Sequence, residues 1–453
     1  MRTVKTALVL GAGISGCGAA RLLAAEGAQV TLADQRSAAA LDWNPADWRD
    51  QPVEVRFGQE LWPAGDYDVV VVSPGIPEDA EWVRTAREQV PEVVSELEWG
   101  ARRIKGRIMA VTGSNGKSTA VKWLAEALNG NGTRAVIAGN YGRSVCEAVL
   151  QEPAADWWVL EVSSFQLETV QTLRPDAACL TNLFPNHLDR HSSFEAYAAL
   201  KARLFARMSA GMAAWVPPEW LATMQAGGGT PDWHTFGETT DCRCRYADSC
   251  VYIEDRCVAD LQACGPALRT PVAAAVVGMV DWAIHDAAAA VEAARHFEPL
   301  PHRLEPVGTI DGVTYINDSK ATNLAALRFA LERIDRPVRL IAGGRAKEGG
   351  FKKLKEVLED RVKCVYCIGN VAKQMYSAWS PTVACRHSGT LPVALEEATA
   401  DACSGEVILL SPGCASFDQF RNYVERGERF AQWVRERTGN SRSSKVNNPG
   451  GDS

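Results

Sequence analysis

The chain has 453 residues, 46% of them apolar and 23% charged, which excludes bulk disorder and fibrous repeats. Its 48 basic and 55 acidic residues leave a net charge of −7, no electrostatic footprint for nucleic acid. No apolar run reaches the roughly 18 residues of a membrane helix; the longest candidate, Val272 to Ile284, is interrupted by Asp281.

At roughly 150 residues per domain the length predicts about three domains. Apolar strand-like runs alternate with helical patterns from end to end, and each run leads into a Gly-, Ser- or Asn-rich turn. That order predicts an α/β protein built of βαβ units on parallel sheets, with ligands at the carboxyl ends of strands. The first run, Thr6 to Leu10, enters Gly11-Ala-Gly-Ile-Ser-Gly16, and Asp34 follows the next strand. Arg2 and Lys5 before this run imitate a signal peptide, but the three glycines inside it favour a strand and a turn. Alone, G-x-G-x-x-G suggests a nicotinamide dinucleotide. The first block ends in the basic segment Arg102 to Lys105.

The second block opens with the strand Ile108 to Val111 and the loop Thr112-Gly-Ser-Asn-Gly-Lys-Ser-Thr119. Strand, glycine loop, Lys-Ser and helix form a phosphate cradle. Backbone N–H groups and the helix dipole hold phosphate oxygens, Lys117 reaches the outer phosphates and Ser118 can hold Mg²⁺. Val111 stands where the generic pattern has its first glycine. Glu161 ends the strand beginning at Trp157 and is a hard oxygen donor for a divalent cation. His187 follows the strand from Ala177 to Leu183. Ser192-Ser193-Phe194-Glu195 starts a helix as a capping box. Lys201 lies on that helix's apolar stripe with Phe194 and Tyr197, where it either snorkels or is desolvated to a neutral amine able to take up CO₂ as a carbamate.

The third block holds Pro301-His-Arg-Leu-Glu305, Ile316-Asn-Asp-Ser-Lys-Ala-Thr-Asn323, Gly343-Gly-Arg-Ala-Lys347 and Leu410-Ser-Pro-Gly-Cys-Ala-Ser-Phe-Asp-Gln-Phe420. Each sets polar residues after a strand; Asp318, Lys320 and Thr322 suit a phosphate or carboxylate ligand. The tail from Gly439 reads as disordered. Thirteen cysteines, an odd count on a long chain, argue for reduced thiols and a cytoplasmic protein. The run Cys242, Cys244, Cys250, Cys257, Cys264 fits no zinc spacing. Cys364 and Cys367 fall within a predicted strand rather than at a redox helix start.

Over about residues 5 to 435 these motifs resemble the Mur ligase family, amide-bond ligases of peptidoglycan precursor synthesis. Within it they resemble the branch that adds D-glutamate to UDP-N-acetylmuramoyl-L-alanine. The resemblance implies a Rossmann-like N-terminal domain (1–105) for UDP, a central P-loop-type mononucleotide-binding domain with a parallel sheet (106–300) for ATP, and a Rossmann-like C-terminal domain (301–438) for the amino acid, then a tail (439–453). It implies that Gly113, Ser114, Asn115, Gly116, Lys117, Ser118 and Thr119 hold ATP phosphates, with Arg303, Asp318 and Lys320 closing over the nucleotide. Ser118 and Glu161 would serve one Mg²⁺, and His187 and carbamylated Lys201 a second; Lys117, Glu161, His187 and Lys201 are the implied catalytic set. Gly13, Ser15, Asp34, Arg36, Ser73 and Gly75 would take the uridine diphosphate, and Asn140, Ser163 and Gln166 the muramoyl-alanine end. Thr322, Lys347, Ser416 and Tyr423 would receive D-glutamate, Tyr423 replacing a phenylalanine common in relatives. A monomer with a hinge near Leu300 is expected.

Two departures from the family pattern stand out. Ala267-Leu-Arg-Thr-Pro271 occupies the place of an adenine-contacting H-N-x-x-N box, and Asn186 replaces an Asp before the metal histidine. A nicotinamide-dependent oxidoreductase is a rival that leaves the central phosphate loop unexplained. A non-catalytic binder of UDP-sugars or nucleotide is a second, motivated by the missing box.

Overall fold

The computed structural model describes residues 4–41, 43–48, 51–187, 190–265, 267–346 and 350–443. They form three sheets. The first contains β1 (Thr6–Leu10), β2 (Gln29–Asp34), β3 (Val53–Phe57), β4 (Val69–Val72) and β5 (Val93–Ser95). Its order is β3-β2-β1-β4-β5 with every pair parallel. The strand order therefore reverses beside β1, and the glycine turn after β1 opens at that switch point.

The central sheet contains β6 (Arg107–Thr112), β7 (Ala135–Gly139), β8 (Trp157–Glu161), β9 (Ala177–Leu180), β10 (Ala213–Val216), β11 (Asp232–Gly237), β12 (Cys244–Ala247), β13 (Cys250–Ile253) and β14 (Arg256–Asp260). In the order β14-β13-β12-β11-β10-β9-β6-β8-β7, β6 lies between β9 and β8, parallel to both. Successive residues alternate faces along a strand. Met109, Val111, Trp157 and Val159 enter one apolar cluster, and Ile108, Ala110, Trp158 and Leu160 enter the other. Both faces are buried, which is why β6 and β8 read as unbroken apolar runs. The helix Lys117–Gly130 packs Val121, Trp123, Leu124 and Leu128 on the first of these faces. Trp123 also donates its indole N–H to the Ala290 carbonyl (2.7 Å), so Trp123→Ala would cost about 3–5 kcal/mol. The apolar run from Val272 becomes the helix Val272–Ile284, largely buried in the same core. No helix among the described residues is long and apolar enough to cross a membrane.

The third sheet contains β15 (Glu305–Ile310), β16 (Val313–Asn317), β17 (Val338–Gly343), β18 (Val362–Ile368), β19 (Ala384–Gly389) and β20 (Val407–Leu410), in the order β15-β16-β20-β17-β18-β19. Only β15 is antiparallel. Cys364 and Cys367 lie within β18, and every cysteine is a free thiol. The helix Tyr423–Ser443 runs past Gly439, so the disorder expected from that residue does not begin there; residues 444–453 lie outside the described residues.

The chain packs as two units. Residues 1–183 and 192–297 form one, with the first two sheets; residues 184–191 and 298–453 form the other, with the third. Inside the first unit the basic segment is an ion-paired seam. Arg102 meets Glu92 (2.5 Å) and Glu98 (2.8 Å), and Arg103 meets Glu26.

Candidate active site

The glycine turn after β1 is closed from two sides. Ser73 Oγ donates to the Gly11 carbonyl (3.0 Å). A Cβ on Gly16 would stand 1.7 Å from that same carbonyl oxygen, so the close approach of helix to turn requires glycine there. Asp34 accepts from the Ala12 N–H (2.9 Å) and from Arg36 Nε (3.0 Å), Nη2 (2.8 Å) and backbone N–H (2.9 Å). Burial raises the Asp34 pKa, but the bonds from Arg36 and Ala12 outweigh it and hold the carboxyl below its usual range. In a nicotinamide site the acid after β2 takes a ribose hydroxyl. Here it is committed to the turn and to an exposed arginine, which favours an anionic ligand. Gly13 and Ser15 lie at the start of the helix Ile14–Ala25, and Ser73 and Gly75 follow β4.

The phosphate loop follows β6. Gly116 caps the helix Lys117–Gly130 at φ +83° and Gly113 lies at φ +138°, both in the region that favours glycine. Asn182 holds the loop, its Oδ1 accepting from Asn115 N–H (2.9 Å) and its carbonyl from Ser114 N–H (3.0 Å). Thr181 Oγ1 donates to the Asn115 carbonyl (2.7 Å). Lys117 Nζ donates to the carbonyls of Gly113 (2.8 Å) and Ser114 (3.0 Å). Lys201 Nζ reaches the same Gly113 carbonyl (3.0 Å) and Thr112 Oγ1 (3.2 Å), with the Tyr197 ring 4.7 Å away. Lys201 is 1% exposed, so it does not snorkel. Burial, and then the charge of Lys117, push its amine well below the usual lysine range, with Glu161 pulling the other way. Ser193, rather than the expected capping box, starts this helix: its hydroxyl accepts from Ala196 N–H, and Ala196 offers no return bond.

Glu161 is buried at the end of β8 and accepts from Asn140 Nδ2 (2.6 Å). Ser163 and Gln166 form a capping box on the helix Ser164–Leu167. Among the described residues no three His, Cys, Asp or Glu side chains cluster to hold a metal. A buried carboxylate, the buried Ser118 hydroxyl and nucleotide phosphates nonetheless fit Mg²⁺, which keeps waters and takes few protein ligands. His187, at φ +56°, groups with the second unit. Ala267 to Pro271 lead into the helix Val272–Ile284, and Val272 Cγ2 is 4.0 Å from where a Gly116 Cβ would stand. The helix that follows the segment lacking the box residues thus starts beside the phosphate loop.

In the second unit Asp318 is buried after β16. It accepts from Ser411 Oγ (2.8 Å) and Leu304 N–H (3.2 Å), and burial raises its pKa to about 7. Lys320 Nζ stands 5.4 Å from the Tyr423 ring, whose residue's carbonyl accepts from Ser319 Oγ (2.8 Å). Thr322 shares the loop after β16, Ser416 is buried after β20, and Arg303 precedes β15. Lys347 lies outside the described residues. Thr112, Tyr197, Thr181, Asn182 and Arg426 complete these sites without having been singled out as site residues from the sequence. Position at a strand's end was the available signal for Thr112; Thr181 and Asn182 fell inside the strand expected from Ala177 to Leu183, which in the structure ends at Leu180.

These sites lie on three α/β sheets, the central one carrying a phosphate-type glycine loop. Residues 5–95 match the family model described as Mur ligase MurD-like, N-terminal domain; 111–240 match the Mur ligase middle domain, and 302–414 the Mur ligase, glutamate ligase domain. The UDP-N-acetylmuramoylalanine--D-glutamate ligase of Acidobacterium capsulatum is 36% identical over 448 residues, covering 95% of this chain and 96% of that protein. The ligase of the same name from Nitratidesulfovibrio vulgaris strain Hildenborough is 38% identical over 432 residues, 94% of each. The chain belongs to the Mur ligase family. A UDP-N-acetylmuramate-alanine ligase from Thermotoga maritima shares the fold at TM-score 0.60 and 16% identity, over 96% of this chain and 99% of that one. The MurF ligase of the same organism, in complex with ADP, does so at 0.57 and 16%, over 81% and 90%.

Proposed function

We propose that the chain uses ATP to join D-glutamate to UDP-N-acetylmuramoyl-L-alanine in the cytoplasm, acting as a monomer. A carboxylate is a poor electrophile. The terminal phosphoryl group of ATP passes to the alanyl carboxylate, ADP leaves, and an acyl phosphate forms. The D-glutamate amine attacks the acyl carbon, the nitrogen loses a proton, and the C–O bond breaks to release phosphate. The observation that carries this reading is the meeting of Lys117 and the buried Lys201 on the carbonyl of Gly113. Two anions must be brought together there, and Lys117 offsets their repulsion.

Lys201, desolvated and favouring the neutral amine, would take up CO₂ and become a carbamate. Ser118 and Glu161 would hold one Mg²⁺, and His187 with carbamylated Lys201 a second. When bound, the metal ions would supply charge neutralisation at the transferring phosphoryl group. The first-sheet turn would bind uridine diphosphate through Gly13, Ser15, Asp34, Arg36, Ser73 and Gly75. Asn140, Ser163 and Gln166 stand at the carboxyl ends of β7 and β8 for the muramoyl-alanine end. Arg303, Asp318 and Lys320 would act on the nucleotide. Thr322, Lys347, Ser416 and Tyr423 would receive D-glutamate. Relatives named for this reaction, matched over nearly the whole chain, support the choice of substrates.

The test is phosphate release from ATP, measured with each reactant omitted in turn and with other amino acids offered. Release that needs both the UDP-linked acceptor and D-glutamate is expected. Nucleotide binding with no amide product under any pairing would overturn the reading.

A further inference from the structure

A guanidinium lies beneath the strand ends of the third sheet. Arg426, in the first turn of the helix Tyr423–Ser443, is 1% exposed. Its Nε donates to Ser319 Oγ (3.0 Å). Its Nη2 donates to the carbonyls of Ser319 (2.8 Å) and Cys414 (3.1 Å), and Nη1 to the same Cys414 carbonyl (3.2 Å). A Cβ on Gly344, at φ +137°, would come within 3.3 Å of Nη1. Ser319 follows β16, Gly344 follows β17 and Cys414 follows β20, and these strands are neighbours in the order β16-β20-β17. One side chain thus bonds to the loops after β16 and β20 and lies beside the glycine that follows β17.

All four hydrogen bonds end on neutral oxygens. Burial lowers the Arg426 pKa to about 10, which leaves the group charged at neutral pH. The carboxylates of Asp418 and Asp318 act on it through charge alone, without a hydrogen bond. A buried cation hydrogen-bonded only to neutral acceptors is an expensive way to fill a core, and an apolar side chain of that size would serve stability better. What arginine alone offers is a rigid planar fork that sets two carbonyls at a fixed spacing. The loops it sets carry Thr322 after β16 and Ser416 after β20, both assigned to the amino acid.

We propose that Arg426 is a positioning residue for the amino-acid substrate, fixing the loops after β16, β17 and β20 in the mutual register that receives D-glutamate. It rests on the reading that these loops bind the amino acid. Arg426→Lys keeps the charge and loses the fork; Ser319→Ala keeps the guanidinium and removes its Nε partner. For Arg426→Lys the KM for D-glutamate should rise about tenfold or more, while kcat and the KM values for ATP and the UDP-linked acceptor move less than about threefold. Ser319→Ala should show the same pattern at about threefold. A merely structural role would move all parameters together and lower the melting temperature in step. An unchanged KM for D-glutamate, or an equal rise in every KM, would overturn the proposal. If Arg426→Lys does not fold, Ser319→Ala decides by the same criterion. Ser416→Ala, measured in parallel, tests the underlying reading. If it leaves the KM for D-glutamate at the wild-type value, that reading and the proposal both fail. If it raises that KM while the other two variants do not, the reading stands and Arg426 is only structural.

Discussion

Two glycine turns, one after β1 and one after β6, solve the same problem with different charges. Each leads into a helix whose N-cap is a glycine with no side-chain cap bond, Gly13 in the first and Gly116 in the second. The helices Phe194–Ala202 and Leu324–Glu332 are instead capped by Ser193 and Asn323. Both turns therefore end at helix N-termini that no side chain caps, an arrangement that suits an anion. The first is braced by an acid, Asp34, which holds Arg36. The second brings two lysines to one carbonyl, that of Gly113. Under the proposed function, the first turn only binds and needs one cation at its edge, while the second, where phosphate would change partners, needs charge at its centre.

The sharpest way to break this comparison is to remove the central charge. Lys117→Ala should lower kcat by about 10³-fold or more, while the UDP-linked acceptor binds as in the wild type when measured by calorimetry. Equal loss of acceptor binding would mean that the two turns do not divide the work. Lys201→Ala comes next. It should lose about 10²-fold or more in kcat and recover part of it in the presence of a short carboxylic acid supplied as a surrogate carboxylate. Full wild-type activity in CO₂-free buffer, together with no rescue of the variant, would reject the carbamate. At the first turn the expected effect is smaller and of another kind. Asp34→Asn weakens the hold on Arg36, so the KM for the UDP-linked acceptor should rise roughly tenfold with kcat nearly unchanged. A fall in kcat with constant KM would contradict the assignment of this turn to binding.

Much of this was legible in the sequence because apolar runs buried on both faces and the glycine turns after them leave a strong one-dimensional signal. β1 from Thr6 to Leu10 and the helix from Val272 to Ile284 have the bounds the apolar pattern gives. What stayed hidden depends on side chains that meet only in space. Thr112 and Tyr197 around Lys201 are ordinary strand and helix residues in sequence. Arg426 reads as one more charged residue in Val424-Glu-Arg-Gly-Glu-Arg429, and only packing sets it apart from exposed Arg429. The basic segment Arg102 to Lys105 read as the end of a block. Its arginines instead pair with carboxylates, because Glu92, Glu98 and Glu26 converge on them.

That seam contains the smallest predicted effect, and it bears on how firmly the supports of the two turns are joined. Gly18, in the helix after the first turn, packs so close to Ser144 that an added Cβ would meet its Oγ at 2.1 Å. Nearby, Glu96 and Glu98 leave the helix Glu96–Ala101 toward the central sheet with opposite electrostatics. Glu98 is buried, which raises its pKa, but bonds from Thr172, Gln171 N–H and Arg102 outweigh this and hold it ionised. Glu96 accepts from Cys146 N–H (2.6 Å), while its buried Oε2 has no hydrogen-bond partner; burial dominates and its pKa rises to about 7. The signs follow from which state binds more protons. Glu98 contributes stability above the unfolded carboxyl value of 4.5 that is lost as pH falls through its lower folded value. Glu96 does the reverse: folded and protonated while the unfolded chain is ionised, its contribution is complete below 4.5 and lost as pH rises to about 7. Glu96→Gln keeps an acceptor for Cys146 N–H and cannot ionise. Its melting temperature should exceed that of the wild type at pH 8 by a few degrees, on the order of 1–2 kcal/mol, and the gap should close toward pH 5. A constant offset across that range would mean that Glu96 does not titrate in the fold.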